Sequence, residues 1–368
     1  MPLKEHHPCP YEMIMRKTRH GKTEKLLIAL LIAAMLMLAG CGSSDEETSD
    51  AGNDEPQTVE FFAMDTYMTL SAYGDNADEA LAEGEDLVLS LDNKLSAENK
   101  DSQIAKLNRT GKANIDEDAA YLIERALELY KDTSGKFNIG IYPVMKAWGF
   151  TTKKYTVPSE RKLRRLVRRM DLSALKLSSD GKTATIGQKG LQIDLGGIAK
   201  GYVSAKVLEM FKEKGIEHAM VNLGGNVQTL GTKPDGSPWR VAIKSPFEDD
   251  ENFAGVIETS DEAVITSGGY ERYFEKDGKK YHHIMDPDTG HPADRGLISV
   301  TVVSKDGTLA DGLSTSLYIM GKDKALEYWK KHRDRFDAVI MDEEKELYVT
   351  GGLKDSFTSD AYHINIVE

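Results

Sequence analysis

From Val59 to Glu368, apolar residues recur at helix or strand spacing with no second low-complexity break. That continuity predicts one folded domain over residues 59–368, long enough for a sizeable core. At 40% apolar and 29% charged, the composition is that of an ordinary globular chain. Residues 59–73 read as strand. Residues 78–95 place Leu81, Val88, Leu91 and Leu95 on one helical face, and Ala119, Ile123, Ala126, Leu127 and Tyr130 mark a second helix. Residues 160–170 form a short, very basic helix (Arg161, Lys162, Arg164, Arg165, Arg168, Arg169), most simply a solvated face. Strands then dominate, at 183–186, 191–194, 219–222, 239–244, 255–259, 263–267 and 298–303. Helices at 198–214 and 309–320 interrupt them, and a strand pair, 338–341 with 347–350, closes the chain. Grouped strands with interspersed helices predict an α+β domain with mixed or antiparallel sheets and flanking helices.

The N-terminus stands apart. Lys17, Arg19, Lys22 and Lys25 precede an uncharged apolar run, residues 26–39, of signal-peptide length and too short for a comfortable membrane span. The run ends Leu38-Ala39-Gly40-Cys41, the small-residue pattern that precedes a lipidated cysteine. The expectation is a lipoprotein signal peptide over 1–40, with a lipid anchor at Cys41 on the extracytoplasmic face of the cell membrane. A plain secretory signal ending near a cysteine is the alternative, and Met15 marks an alternative start. Residues 41–58 read as the lipidated cysteine and a disordered tether without bulky apolar side chains. Cys9 and Cys41 are the only cysteines, so the folded part has no disulfide, thiolate metal site or thiol nucleophile. Without residues 1–40 the chain carries 41 basic against 57 acidic side chains, about −16. Such a surface argues against nucleic acid or anionic lipid, and a polyphosphate ligand would need a metal ion beside it.

Four segments carry chemistry. In Leu191-Gln-Ile-Asp-Leu-Gly-Gly-Ile-Ala-Lys-Gly201 a strand ends at Asp194, Gly196 and Gly197 permit a tight turn, and a helix begins near Ile198. A helix N-terminus behind glycines offers free N–H groups and a positive dipole end to a ligand. Asp194 is either the cap of that helix or a ligand contact. The Lys-Ser/Thr ending of a P-loop is missing. In Leu309-Ala-Asp-Gly-Leu-Ser-Thr-Ser-Leu-Tyr-Ile-Met320, Asp311 and Thr315 lie four apart, on one helical face. So placed, they suit a hard cation whose remaining ligands are phosphate and water. Equally, Asp311 is a first-turn acidic residue complementing the helix dipole.

In Tyr281-His-His-Ile-Met-Asp-Pro-Asp-Thr-Gly290, adjacent histidines in a strand point to opposite faces, so at most one reaches a site. A histidine is the natural proton acceptor for a hydroxyl nucleophile near neutral pH. A surface or metal-binding pair is the plainer alternative. Val221-Asn-Leu-Gly-Gly-Asn226 and Ile265-Thr-Ser-Gly-Gly-Tyr270 are strand ends running into small residues, where a planar ligand or its phosphates can approach the backbone.

Together these segments resemble the ApbE family, the FAD:protein FMN transferases, in motif, order and approximate spacing. Upstream, Met64-Asp65-Thr66 resembles the family's Met-Gly-Thr, and residues 134–149 are similar to its Gly-x-Phe-Asp…Pro…Trp-Gly segment. The resemblance implies a single ApbE-like domain with an FAD cleft contacted by Met64, Lys136, Phe137, Asn138, Asp194, Lys200, Thr266, Ser267 and Met285. It implies Mg2+ held by the Gly197 carbonyl, Asp311 and Thr315, and His283 as the catalytic base. The implied reaction moves the FMN moiety of FAD to a Ser or Thr hydroxyl of a partner, with AMP leaving. The implied partners are acceptor flavoproteins of extracytoplasmic electron transport. Two departures stand out: Asn138 replaces the usual Asp, and Glu98 occupies a position where many members have an aromatic residue. The rival readings are an Mg-dependent FAD pyrophosphatase giving FMN and AMP, and a non-enzymatic flavin-binding lipoprotein.

Overall fold

The computed structural model describes residues 55–247 and 253–368. The expected signal peptide, Cys41 and all but the end of the tether lie outside the described residues. Among the described residues no helix is long and apolar enough to cross a membrane.

One large sheet organises the domain. Its strands lie side by side in chain order: β1 (Gln57–Ala63), β2 (Thr66–Ala72), β3 (Ala219–Leu223), β4 (Asn226–Leu230), β5 (Ala263–Gly268), β6 (Leu297–Ser304), β7 (Asp337–Asp342), β8 (Leu347–Thr350) and β9 (Ile364–Val367). Neighbours pair antiparallel except β8 and β9, which are parallel. The expected α+β domain with mixed sheets and flanking helices is what the chain forms. The helices are α1 (Ala77–Leu95), α2 (Gln103–Thr110), α3 (Glu117–Asp132), α4 (Tyr142–Trp148), α5 (Glu160–Val167), α6 (Ala199–Glu213), α7 (Gly307–Met320) and α8 (Lys322–Lys331).

Both faces of the sheet are buried, by different partners. Alternate residues such as Ile265, Val300, Val302, Ala338 and Ile340 join the core beneath α1, α6 and α7. The intervening Val264, Val303, Val339 and Met341 face a second core, shared with a small sheet of Trp239–Lys244, Phe253–Thr259 and Phe357–Thr358. Two-sided burial explains why these strands read as continuous apolar runs. A third cluster, with Val144, Trp148, Phe150, Leu163, Phe274 and Met285, packs around the 283–290 loop.

Local differences from the sequence reading have local causes. The expected strand over 59–73 is a hairpin, β1–β2, closed by Met64 and Asp65, both at positive φ. Two consecutive left-handed residues match the twist of a two-residue hairpin turn. Residues 191–194 join no sheet. The Asn108 side chain brackets Ile193 instead, its Nδ2 donating to the carbonyl (2.7 Å) and its Oδ1 accepting from the N–H (2.7 Å). β4 escapes the reading because its sequence, Asn-Val-Gln-Thr-Leu, is polar although every residue is buried. α2, α4 and α8 and the hairpin Tyr273–Lys276 with Lys279–His282 were likewise not anticipated.

Candidate active site

A cavity of about 400 Å³ opens where the β1–β2 turn, the start of α6, the ends of β4 and β5, α7 and the 283–290 loop meet. Every residue that the resemblance assigns to flavin, metal or proton transfer within the domain lines it. They are Met64, Lys136, Phe137, Asn138, Asp194, Gly197, Lys200, Thr266, Ser267, His283, Met285, Asp311 and Thr315. The assignment at Cys41 lies outside the described residues.

Met64 projects from the hairpin turn at φ 48°. An unbranched non-glycine residue rarely adopts that conformation unless its surroundings hold it. Asp92 of α1 supplies the restraint, its Oδ2 accepting the Met64 N–H at 3.0 Å. Behind Met64, Asp194 accepts the Gly196 N–H at 2.9 Å, a local turn that leaves the first residue of α6 without a side-chain cap. Asp194 is therefore not the cap of α6, and burial raises its pKa.

The cap comes from another helix. Asp311 Oδ2 accepts the Gly201 N–H at 2.8 Å, and the Lys200 N–H also points to this carboxylate. Ile198 and Ala199 donate to Leu195. The expectation that this helix start offers its N–H groups freely to a ligand is thus corrected, since they are already bonded. Nor is Asp311 a first-turn residue of its own helix. α7 begins at Gly307 and is capped by Asp306, which accepts from Leu309. Burial raises the pKa of Asp311, opposed by the Lys200 ammonium and the two N–H donors. One turn on, the Thr315 hydroxyl lies 3.2 Å from Ser267 Oγ, which also meets Ser314 at 2.9 Å. The Thr266 hydroxyl turns to Thr301 at 2.8 Å.

The two histidines part as expected. His282 bonds the Ala293 carbonyl (3.0 Å) and accepts the Ile284 N–H (3.2 Å), and Tyr318 meets its ring edge-on. His283 lines the cavity. Its Nδ1 lies 3.2 Å from the Arg272 carbonyl, so Nδ1 carries the proton and Nε2 is left as the acceptor. Burial, reinforced by the Arg272 guanidinium, pushes its pKa down to about 3, which keeps the ring neutral near pH 7. Beyond it, Asp286 accepts from Lys136 (3.3 Å), Arg295 (3.2 Å) and the Asp288 N–H (3.0 Å). The Trp148 indole donates to the Gly290 carbonyl at 2.8 Å. These bonds fix the loop that carries His283 and Met285.

Lys136 therefore pairs with Asp286 and Asp288 while lining the cavity. Asn138 commits both ends of its amide, accepting from Gly140 (2.8 Å) and donating to Met170 (3.1 Å). Phe137 is buried beneath Gly197. Glu98 lies in an adjoining cavity that shares Met64, Asp194, Lys200 and Arg272, and burial with nearby Asp65 and Asp194 raises its pKa. Arg272 and Asn226 also line the main cavity, and neither was assigned a role from sequence. The only sequence signal was proximity, since Arg272 follows the Thr-Ser-Gly-Gly-Tyr run and Asn226 closes Asn-Leu-Gly-Gly-Asn.

The donors suit a hard cation. A buried carboxylate whose charge burial disfavours is relieved by a cation beside it, and hydroxyl and carbonyl oxygens complete such a set. Among the described residues there is no cluster of three or more His, Cys, Asp or Glu able to hold a metal. A single carboxylate leaves most of the coordination shell to ligand phosphate and water.

The ApbE family matches residues 64–340 of this chain. The FAD:protein FMN transferase of Vibrio cholerae serotype O1 is 32% identical over 305 residues, covering 82% of this chain and 89% of that one. That of Klebsiella pneumoniae is 32% identical over 279 residues, covering 74% and 85%. Among solved structures, the ApbE protein of Thermotoga maritima superposes with a TM-score of 0.76 at 29% identity, covering 82% of this chain and 98% of that one. The flavin transferase ApbE of Vibrio cholerae gives 0.70 at 25% identity, covering 82% and 96%. By sequence and by fold, the chain belongs to the ApbE family.

Proposed function

We propose that this protein transfers the FMN moiety of FAD to a Ser or Thr hydroxyl of an acceptor flavoprotein, using Mg2+ and releasing AMP. Flavin transfer is the activity for which its relatives are named. One observation carries the finer reading: residues from distant segments, to which the family resemblance assigns flavin, metal and base roles, wall a single cavity.

The roles follow from the chemistry. Lys200 offsets the charge of the bound pyrophosphate. Gly197, Asp311 and Thr315 would hold Mg2+, which supplies charge withdrawal from the phosphoryl oxygens when bound. The acceptor oxygen bonds to the FMN-side phosphorus, and the bond from that phosphorus to the oxygen shared with AMP breaks. AMP leaves with the electron pair, and the hydroxyl proton passes to Nε2 of His283. Neutral, with Nδ1 tied to the Arg272 carbonyl, His283 presents the right tautomer. The negative charge of bound FAD raises its proton affinity at the moment a base is needed. Mass spectrometry of an acceptor incubated with the protein, FAD and Mg2+ tests this. FMN is expected on one Ser or Thr, and persistence of the adduct after that residue is changed to Ala contradicts the site.

The location belongs to the same proposal. The apolar run ending at Cys41 supports lipid anchoring on the extracytoplasmic face, beside acceptors of extracytoplasmic electron transport.

A further inference from the structure

Asn226 opens β4 directly after the left-handed Gly224-Gly225 turn, and the mechanism above leaves it unused. It is 1% exposed yet lines the cavity. Its amide oxygen lies 3.3 Å from the hydroxyl of Ser204, a fully buried residue of α6. Its amide nitrogen is buried with no partner. Buried donors without acceptors are rare and costly, so an orphan against a cavity marks where a ligand oxygen belongs. A neutral N–H cannot ligate a cation, so its partner is an acceptor oxygen.

The neighbours narrow the choice. Ser204 lies one turn beyond Lys200 on α6, hence on the same helical face. Asn226 pairs across the sheet with Ile265, next to Thr266 and Ser267. A lysine, hydroxyls and a primary amide make a setting for an oxyanion rather than for an aromatic ring. We infer that Asn226 is a further substrate-binding residue whose amide donates to a non-bridging phosphoryl oxygen of the FAD pyrophosphate, beside Lys200. The inference rests on the FAD reading above and adds a contact to it. Ser204 is a positioning residue, because its hydroxyl holds the amide oxygen and so turns the nitrogen into the cavity.

Fluorescence titration of FAD and of riboflavin, which has no phosphate, into the full-length protein with and without Mg2+ tests the assignment. Asn226→Ala is expected to weaken FAD binding about tenfold or more, the scale of a hydrogen bond to a charged group. Riboflavin affinity is expected to stay within about twofold, which also reports an intact cavity. Asn226→Asp is expected to bind FAD more weakly still, because a carboxylate would face phosphate. Should Asn226→Ala fail to fold, Ser204→Ala decides the matter, with a smaller loss for FAD alone. Equal losses for FAD and riboflavin, or no loss for FAD, overturn the contact. Tighter FAD binding by Asn226→Asp with Mg2+ overturns it too, because the amide would then face the cation. A wild-type protein that binds riboflavin but gains nothing from the phosphates sinks the FAD reading itself, a result distinct from either.

Discussion

At the scale of single residues, the duties proposed for His283 and Asp311 are separable. If His283 is the base, as proposed, replacing it by Ala is expected to lower turnover by about 10²- to 10⁴-fold while FAD affinity holds. Initial rates and a binding titration check both halves. Replacing Asp311 by Ala is expected to abolish the response of rate to Mg2+, and turnover that still depends on Mg2+ would contradict the metal assignment. The pH dependence follows from the direction of the His283 shift. Burial and Arg272 hold its pKa below the ordinary value near 6.5, so the neutral form persists as pH falls. Since kcat/KM reports the free enzyme, His283 is expected to cause no loss from pH 8 down to about 5 on this account, measured at saturating Mg2+ so that Asp311 stays ionised. A loss centred near pH 6.5 that persists at saturating Mg2+ would mean that His283 titrates as an ordinary exposed histidine. These residues were legible in the sequence because each sits inside a short motif. Arg272 and Asn226 were less so, because what distinguishes them is a backbone carbonyl offered to His283 and an unpaired amide. Neither leaves a mark on residue type.

At the scale of elements, the crossing of α6 and α7 sets the Asp311 carboxylate, the proposed metal ligand, in place. Gly201 allows it. A Cβ there would lie 2.1 Å from the Gly307 carbonyl and 2.8 Å from the Asp311 Cβ. Gly→Ala inside a helix ordinarily stabilises by up to about 1 kcal/mol. Here the sign reverses, and Gly201→Ala is expected to cost about 1–3 kcal/mol or more by overpacking, with weakened Mg2+ dependence. Thermal unfolding and a Mg2+ titration measure the two effects, and a stabilised variant would contradict the packing. Asn108 makes the complementary point. Its amide replaces sheet pairing for Ile193, so Asn108→Ala is expected to raise the KM for FAD while leaving kcat nearly unchanged. Helices with one apolar face, such as α1 and α3, were readable from spacing. The irregular 191–194 segment was not, because a side chain from α2 satisfies its backbone. The basic α5 was readable as a helix, and its Leu163 and Val167 join the apolar cluster that includes Met285.

At the scale of the whole molecule, one sheet with two differently covered faces gathers distant motifs at one rim. That arrangement was only partly visible in the sequence. The apolar strand runs announced burial, but their two partners come from separate stretches of chain, so sheet order and the small second sheet were beyond periodicity. The anchor proposal has its own expected outcome. In cells the protein should fractionate with membranes, and Cys41→Ser should release it from the lipid-dependent fraction. The central claim is tested most directly by incubating the purified protein with FAD, Mg2+ and an acceptor flavoprotein. Covalent flavin fluorescence on the acceptor band and AMP release are then measured together. The account predicts one AMP for each flavin bound to the acceptor. Free FMN and AMP beside an unmodified acceptor would contradict it.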